Sequence, residues 1–135
     1  MKTLHTLPFA LLMLVIGCAS NEPQPPPTPV PDPSLAKTRE VIRMSAQINT
    51  YDACRRKPEL KPFFQSAVTN INMAIATRTY SAAALQQNLN TIHAEVGTNL
   101  APAINLYSAY GEQKPGAPQL LEGLRDGVQL GLQRR

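Results

Sequence analysis

The sequence predicts an all-α fold: a small up-down bundle of four or five helices, carried behind a signal peptide and a proline-rich linker. Composition is the first reason. Tryptophan is absent and aromatic residues make up 5% of the chain, so the core must be built from aliphatic side chains and alanine, which suit helices better than pleated sheets. Periodicity is the second, because from Ser34 onward apolar residues recur at spacings of three and four and no strand is evident. Punctuation is the third: proline, glycine and small polar residues divide that stretch into segments of helix length.

The chain has 135 residues and reads in three parts, 1–17, 18–33 and 34–135. The first part opens with the basic Lys2 and holds an apolar run from Leu7 to Ile16. A membrane-spanning helix needs about twenty apolar residues, and this run is roughly half that before Ser20, Asn21 and Glu22 interrupt it, which is the length of a secretory signal. The run ends in Val15-Ile16-Gly17-Cys18, a small residue followed by a cysteine. In these residues the chain resembles bacterial lipoproteins and their lipobox. The resemblance implies cleavage after Gly17 and a mature chain beginning at Cys18, lipidated with a diacylglyceryl thioether and an N-acyl chain. Burying acyl chain is worth about 0.8 kcal/mol per methylene and a single chain binds only reversibly, so the implied two or three chains make a lasting membrane anchor. Ala19, in place of aspartate, implies by the enterobacterial sorting pattern an outer-membrane position facing the periplasm. Ser20 leaves the inner membrane as the alternative.

Seven of the thirteen prolines fall between Asn21 and Pro33. Such a segment favours polyproline II, rising about 3.1 Å per residue, so thirteen residues reach roughly 40 Å. A stiff tether is the expected use, with a proline-rich ligand for an aromatic groove as the alternative. The formal charge is +4, with 13 basic and 9 acidic residues. Cleavage removes only Lys2 and leaves +3, a mild excess that suits soft contact with an anionic surface and is too small for a nucleic-acid partner. With Cys18 committed to lipid, Cys54 is the one remaining thiol and has no partner within the chain.

Within 34–135, Ser34 follows Pro33 as the expected N-cap of a first helix. Leu35 starts it, and Val41, Met44, Ile48, Tyr51 and Cys54, at spacings of three and four, predict its core face. Pro58 ends it, behind the C-terminal charges of Arg55, Arg56 and Lys57. A second helix begins between Glu59 and Pro62, with the stripe Leu60, Phe64, Val68, Ile71 and Ile75 and with Ala67 and Ala74 beside it. Ser81 caps a third, where Tyr80 and Leu85 stand at the spacing of a hydrophobic staple. Leu85, Leu89, Ile92 and Val96 form its stripe, the clearest amphipathic run in the chain. Gly97 and Thr98 interrupt it, and Thr98 or Asn99 caps a continuation that has Pro102 in its first turn, Leu100, Ile104 and Tyr107 as its face, and Gly111 as its stop. Residues 82–111 therefore read either as one kinked helix or as two.

The last helix runs from about Pro118, with Leu120, Leu124, Val128 and Leu132 on one ridge and Gly123, Gly127 and Gly131 on another. Three interior glycines cost roughly 3 kcal/mol of helix propensity, which close helix packing would offset. Glu122, Arg125 and Asp126 exclude a membrane span. The ridge has two readings: a snug contact inside the domain, or a partner surface that receives another helix.

Convergent chemistry is scarce. His93 is the only histidine after residue 17. Cys54 and His93 could serve as nucleophile and base, with Arg55 and Arg56 favouring thiolate, but no oxyanion loop accompanies them and Cys54 falls on the apolar stripe. One histidine and one free thiol are not a metal-ligand set, and no glycine-rich phosphate loop is present. The expectation is therefore no enzyme, with no catalytic, cofactor-binding or metal residues. It is instead a membrane-anchored periplasmic lipoprotein whose helical domain binds an envelope protein partner and no nucleic acid. In size and anchor the chain resembles helical pilotins, which implies an assembly factor for a secretion channel. The alternative is a structural or exclusion lipoprotein of a conjugative element or phage.

Overall fold

Asp32 and Pro33 open the first helix, α1, which spans Pro33–Arg56. The N-cap is Asp32 rather than Ser34: its Oδ1 accepts the backbone N–H of Ser34 at 2.9 Å. Pro33 occupies the first helical position, where its missing N–H would have had no partner. The computed structural model describes residues 32–134; Cys18, the signal segment and the rest of the linker lie outside the described residues. Ahead of Pro58 the helix stops at Lys57, and a single 3-10 turn, Pro58–Leu60, leads into α2, Lys61–Ala76. That helix ends with Arg78 at φ 56. The N–H of Thr79 returns to the Ala74 carbonyl at 2.9 Å and that of Arg78 to the Ile75 carbonyl at 3.3 Å, the pattern of a Schellman cap with arginine where glycine is usual.

Residues 82–111 form two helices, and the break is at His93 rather than at Gly97 and Thr98. Helix α3 is Ala82–Ile92 and α4 is Ala94–Tyr110. His93 is extended, at φ −167 and ψ 137, and its Nδ1 accepts the N–H of Glu95 at 3.1 Å, so the imidazole caps α4. Gly97 lies inside α4, where its N–H bonds the His93 carbonyl at 3.1 Å. The glycine serves proximity: the Asn90 side chain of α3 fills the space a Cβ would need, and Gln86 donates to the Gly97 carbonyl at 2.9 Å. Pro102 consequently stands in the interior of α4 rather than in its first turn. Gly111, at φ 122, ends the helix as expected.

Helix α5, Ala117–Gln133, closes the bundle. The fold is all-α, five helices packed as a bundle with no strand among the described residues. Helix α1 packs against α5 and α4, α2 against α5 and α3, and α3 against α4. Leu60, Phe64, Ile71, Leu85, Leu89, Val96, Leu100, Tyr107, Leu120, Leu124 and Val128 are all buried, so α2 to α5 turn inward the faces their spacing predicts. Ser81 caps α3 by accepting the N–H of Ala84 at 3.2 Å. Buried Tyr107 donates its hydroxyl to the Tyr80 carbonyl at 2.6 Å, pinning the turn between α2 and α3 to α4.

Candidate functional site

Helix α1 is turned over relative to its apolar periodicity. Val41, Met44 and Ile48 are 46%, 47% and 49% exposed, whereas Ile42, Ala46 and Thr50 are 0% exposed and Ala53 is 2%. The expected core stripe thus faces solvent, with Tyr51 and Cys54 only partly buried at its end. The cause is the surface α1 packs on. A Cβ on Gly123 would lie 3.0 Å from the Arg39 carbonyl oxygen, and one on Gly131 would lie 2.7 Å from that of Gln47 and 2.8 Å from the Thr50 Cβ. At Gly127 it would overlap the Arg43 carbonyl oxygen and stand 2.7 Å from the Ala46 Cβ. The three glycines therefore seat the backbone of α1 directly. Ala46 and Thr50 are the residues whose small side chains meet Gly127 and Gly131, Ile42 is buried beside them, and Val41, Met44 and Ile48 turn outward.

The same geometry corrects the glycine ridge as a partner surface. Gly123, Gly127 and Gly131 are buried against α1 of their own chain, and the snug internal contact is the one that forms. The free surface lies on the solvent side of this helix pair. Met44 and Ile48 line a shallow cleft with Arg43, Gln47 and Arg134. A second cleft, sharing Arg43, is lined by Asp126, Gln129, Gln133 and Leu130 of α5; Leu130 is exposed. Met44 and Ile48 of α1 thus border one cleft and Leu130 of α5 the other, with Arg43 shared between them.

The charges around the two clefts are mostly matched. The Arg43 guanidinium bonds Glu40 and holds that carboxyl below its usual range. Arg39 meets Asp126 at 3.2 Å, and Arg125 reaches the same carboxylate at 3.0 Å. Arg134 lies over the Tyr51 ring at 5.0 Å.

Among the described residues no hydrogen bond joins Cys54 to His93. His93 uses Nδ1 as a helix cap and rests its ring 4.8 Å from that of Phe63. Cys54 borders a different cleft, with Tyr51, Pro58, Lys61 and Leu132. Burial pushes its thiol up, an effect Lys61 partly opposes. Among the described residues no three His, Cys, Asp or Glu side chains converge as a metal site, and no helix is long and apolar enough to cross a membrane.

A signal for the exposed face is present in the sequence. A ridge of glycines at spacing four calls for a facing ridge of small residues, and Ala46, Thr50 and Ala53 supply one on α1. Comparison of the chain with protein-family models, curated proteins and solved structures gives no match.

Proposed function

We propose that the protein is a lipid-anchored component of the bacterial envelope, held to the membrane at Cys18, whose helical domain binds another envelope protein. The observation that carries this reading is the row Val41, Met44 and Ile48, three large apolar side chains half exposed on one helix. Burying apolar area is worth about 25 cal/mol per Å2, and an apolar patch rimmed by polar groups is the usual mark of an interaction site. A cleft between two helices suits an apolar segment laid along it. A proline-rich segment between Cys18 and the N-cap Asp32 would let the domain meet a partner at some distance from the bilayer. An assembly factor for a secretion channel, as the likeness to pilotins suggests, fits these parts.

The test is site-specific photocrosslinking in whole cells, with the reactive residue at Met44 and, as control, at exposed Gln87 on α3. A protein adduct specific to Met44 is expected. Cys18→Ala should abolish fatty-acid labelling, move the protein to the soluble periplasmic fraction and weaken that adduct. Identical adducts from Met44 and Gln87, or none from either, would remove the partner reading, and unchanged membrane fractionation of Cys18→Ala would remove the anchor.

A further inference from the structure

We infer that the exposed face of α1 takes an acidic amphipathic helix of a different protein, about five turns long, lying between Lys37 and Arg55. The inference rests on the partner-binding reading above and adds the chemistry of the occupant. Its first support is charge. Helix α1 holds five basic and two acidic residues, a net +3 that equals the whole excess of the chain after Gly17. Glu40 is engaged by Arg43, and Asp52 meets Arg55 at 3.7 Å between two solvent-exposed side chains, a surface contact that a partner's carboxylate can replace. Lys37 has no acidic partner among the described residues, and Arg134 rests on an aromatic ring rather than on a carboxylate. The helix that exposes the apolar row is therefore also the cationic one.

Spacing is the second support. Lys37 and Arg55 are eighteen residues apart, which at about 1.5 Å per residue is roughly 27 Å and five whole turns, so both lie on the side that carries the row. Val41, Met44, Ile48 and Tyr51 step between them at spacings of three and four. A helix laid antiparallel along this face would present apolar residues at the same spacings and carboxylates at its two ends.

The same pattern disfavours the other occupants. Antiparallel pairing with a second copy about the centre of the row sets Lys37 opposite Arg55 and Glu40 opposite Asp52, and parallel pairing sets every charge against itself; like charges so placed repel. A membrane surface is disfavoured by composition and shape rather than by charge. The row lacks the Trp and Phe that interfacial helices use, and it borders a cleft, whereas a bilayer receives convex apolar residues.

Two labelled helical peptides of about 21 residues test this, identical in their apolar positions and ending in Glu in one and Lys in the other. Each is titrated by fluorescence anisotropy against residues 32–135, which hold the buried core from Ile42 to Val128 and Leu35 packed against it. The Glu-ended peptide should bind at least about tenfold tighter at low salt, an advantage that shrinks as salt rises. The double variant Lys37→Glu, Arg55→Glu should reverse the preference, and Ile48→Gln should weaken both peptides with helix content unchanged. Equal affinities, no binding, a dimer in sedimentation that Ile48→Gln dissociates, or tighter binding to phosphatidylglycerol vesicles than to either peptide would each overturn the inference. If the peptides fail while the Met44 crosslink still captures a protein, this inference alone falls; if both fail, the partner reading falls with it.

Discussion

Gly127 sits against the carbonyl oxygen of Arg43 so closely that no Cβ could stand between them. This contact joins the first and last helices of the domain, and it decides which side of α1 is buried. Because the obstructing atoms are backbone, they cannot rotate away. Gly127→Ala should therefore lower stability despite a gain of about 1 kcal/mol in helix propensity, the overpacking cost being about 1 to 3 kcal/mol or more. Gly127→Leu should prevent folding outright rather than block binding alone. Urea denaturation followed by helix signal checks both.

The inversion of α1 makes two isoleucines six residues apart behave oppositely. Ile48→Gln should change stability by no more than about 0.5 kcal/mol, as at ordinary surface positions. Ile42→Ala empties a fully buried site and should cost about 2 to 5 kcal/mol. The reverse order in the same denaturation assay would restore the periodicity-based face.

Thr50 is fully buried, and its Oγ1 finds no hydrogen-bond partner among the described residues. An unsatisfied buried hydroxyl costs about 1 to 3 kcal/mol, and an apolar group of the same shape avoids that cost. Thr50→Val should accordingly raise the unfolding midpoint, while Thr50→Leu, pressing on Gly131, should lower it.

Burial, and to a smaller degree Glu112 and Tyr80, push the phenol of Tyr107 from 10 up to about 12. The folded protein thus holds this proton where the unfolded chain has lost it. The associated stability is fully present below pH 10 and is lost as pH rises from 10 to 12. A tenfold difference in proton affinity between folded and unfolded chain corresponds to about 1.4 kcal/mol, so the loss should be of order 1 to 3 kcal/mol. In Tyr107→Phe the decline between these limits should be shallower, which denaturation at the two ends of that range measures.

Cys54 is partly buried and its thiol is pushed up chiefly by burial. Labelling by a maleimide at neutral pH should be several-fold slower in the folded protein than in urea, because the thiolate is the reacting species. On a non-reducing gel the domain should run as a monomer. A dominant dimer that reductant dissolves would show Cys54 to be an intermolecular bridge.

The all-α class and the buried faces of four helices were legible from the sequence because large apolar residues there meet large apolar residues: Leu85 and Leu89 of α3, Leu100 and Tyr107 of α4, and Leu120 and Leu124 of α5 all turn into one core. Helix stops at Pro58 and Gly111 were equally local, since a proline restricts the residue before it and only glycine takes φ 122 freely. The break at His93 was not local. Its place depends on Asn90 and Gly97 crossing closely, a contact between two helices that the glycine alone suggested as an interruption. Nor was the face of α1: periodicity weighs side chains by their hydrophobicity, so Val41, Met44 and Ile48 outweighed Ala46 and Ala53. In the folded chain the opposing surface is a glycine ridge that excludes volume, so the face of Ile42, Ala46, Thr50 and Ala53 is buried and that of Val41, Met44 and Ile48 is left to solvent. Sequence alone determined the all-α class and the helical segments other than the break within 82–111. Which apolar residues of α1 join the core and which form a surface was decided only when α5 set its glycines against the backbone of α1.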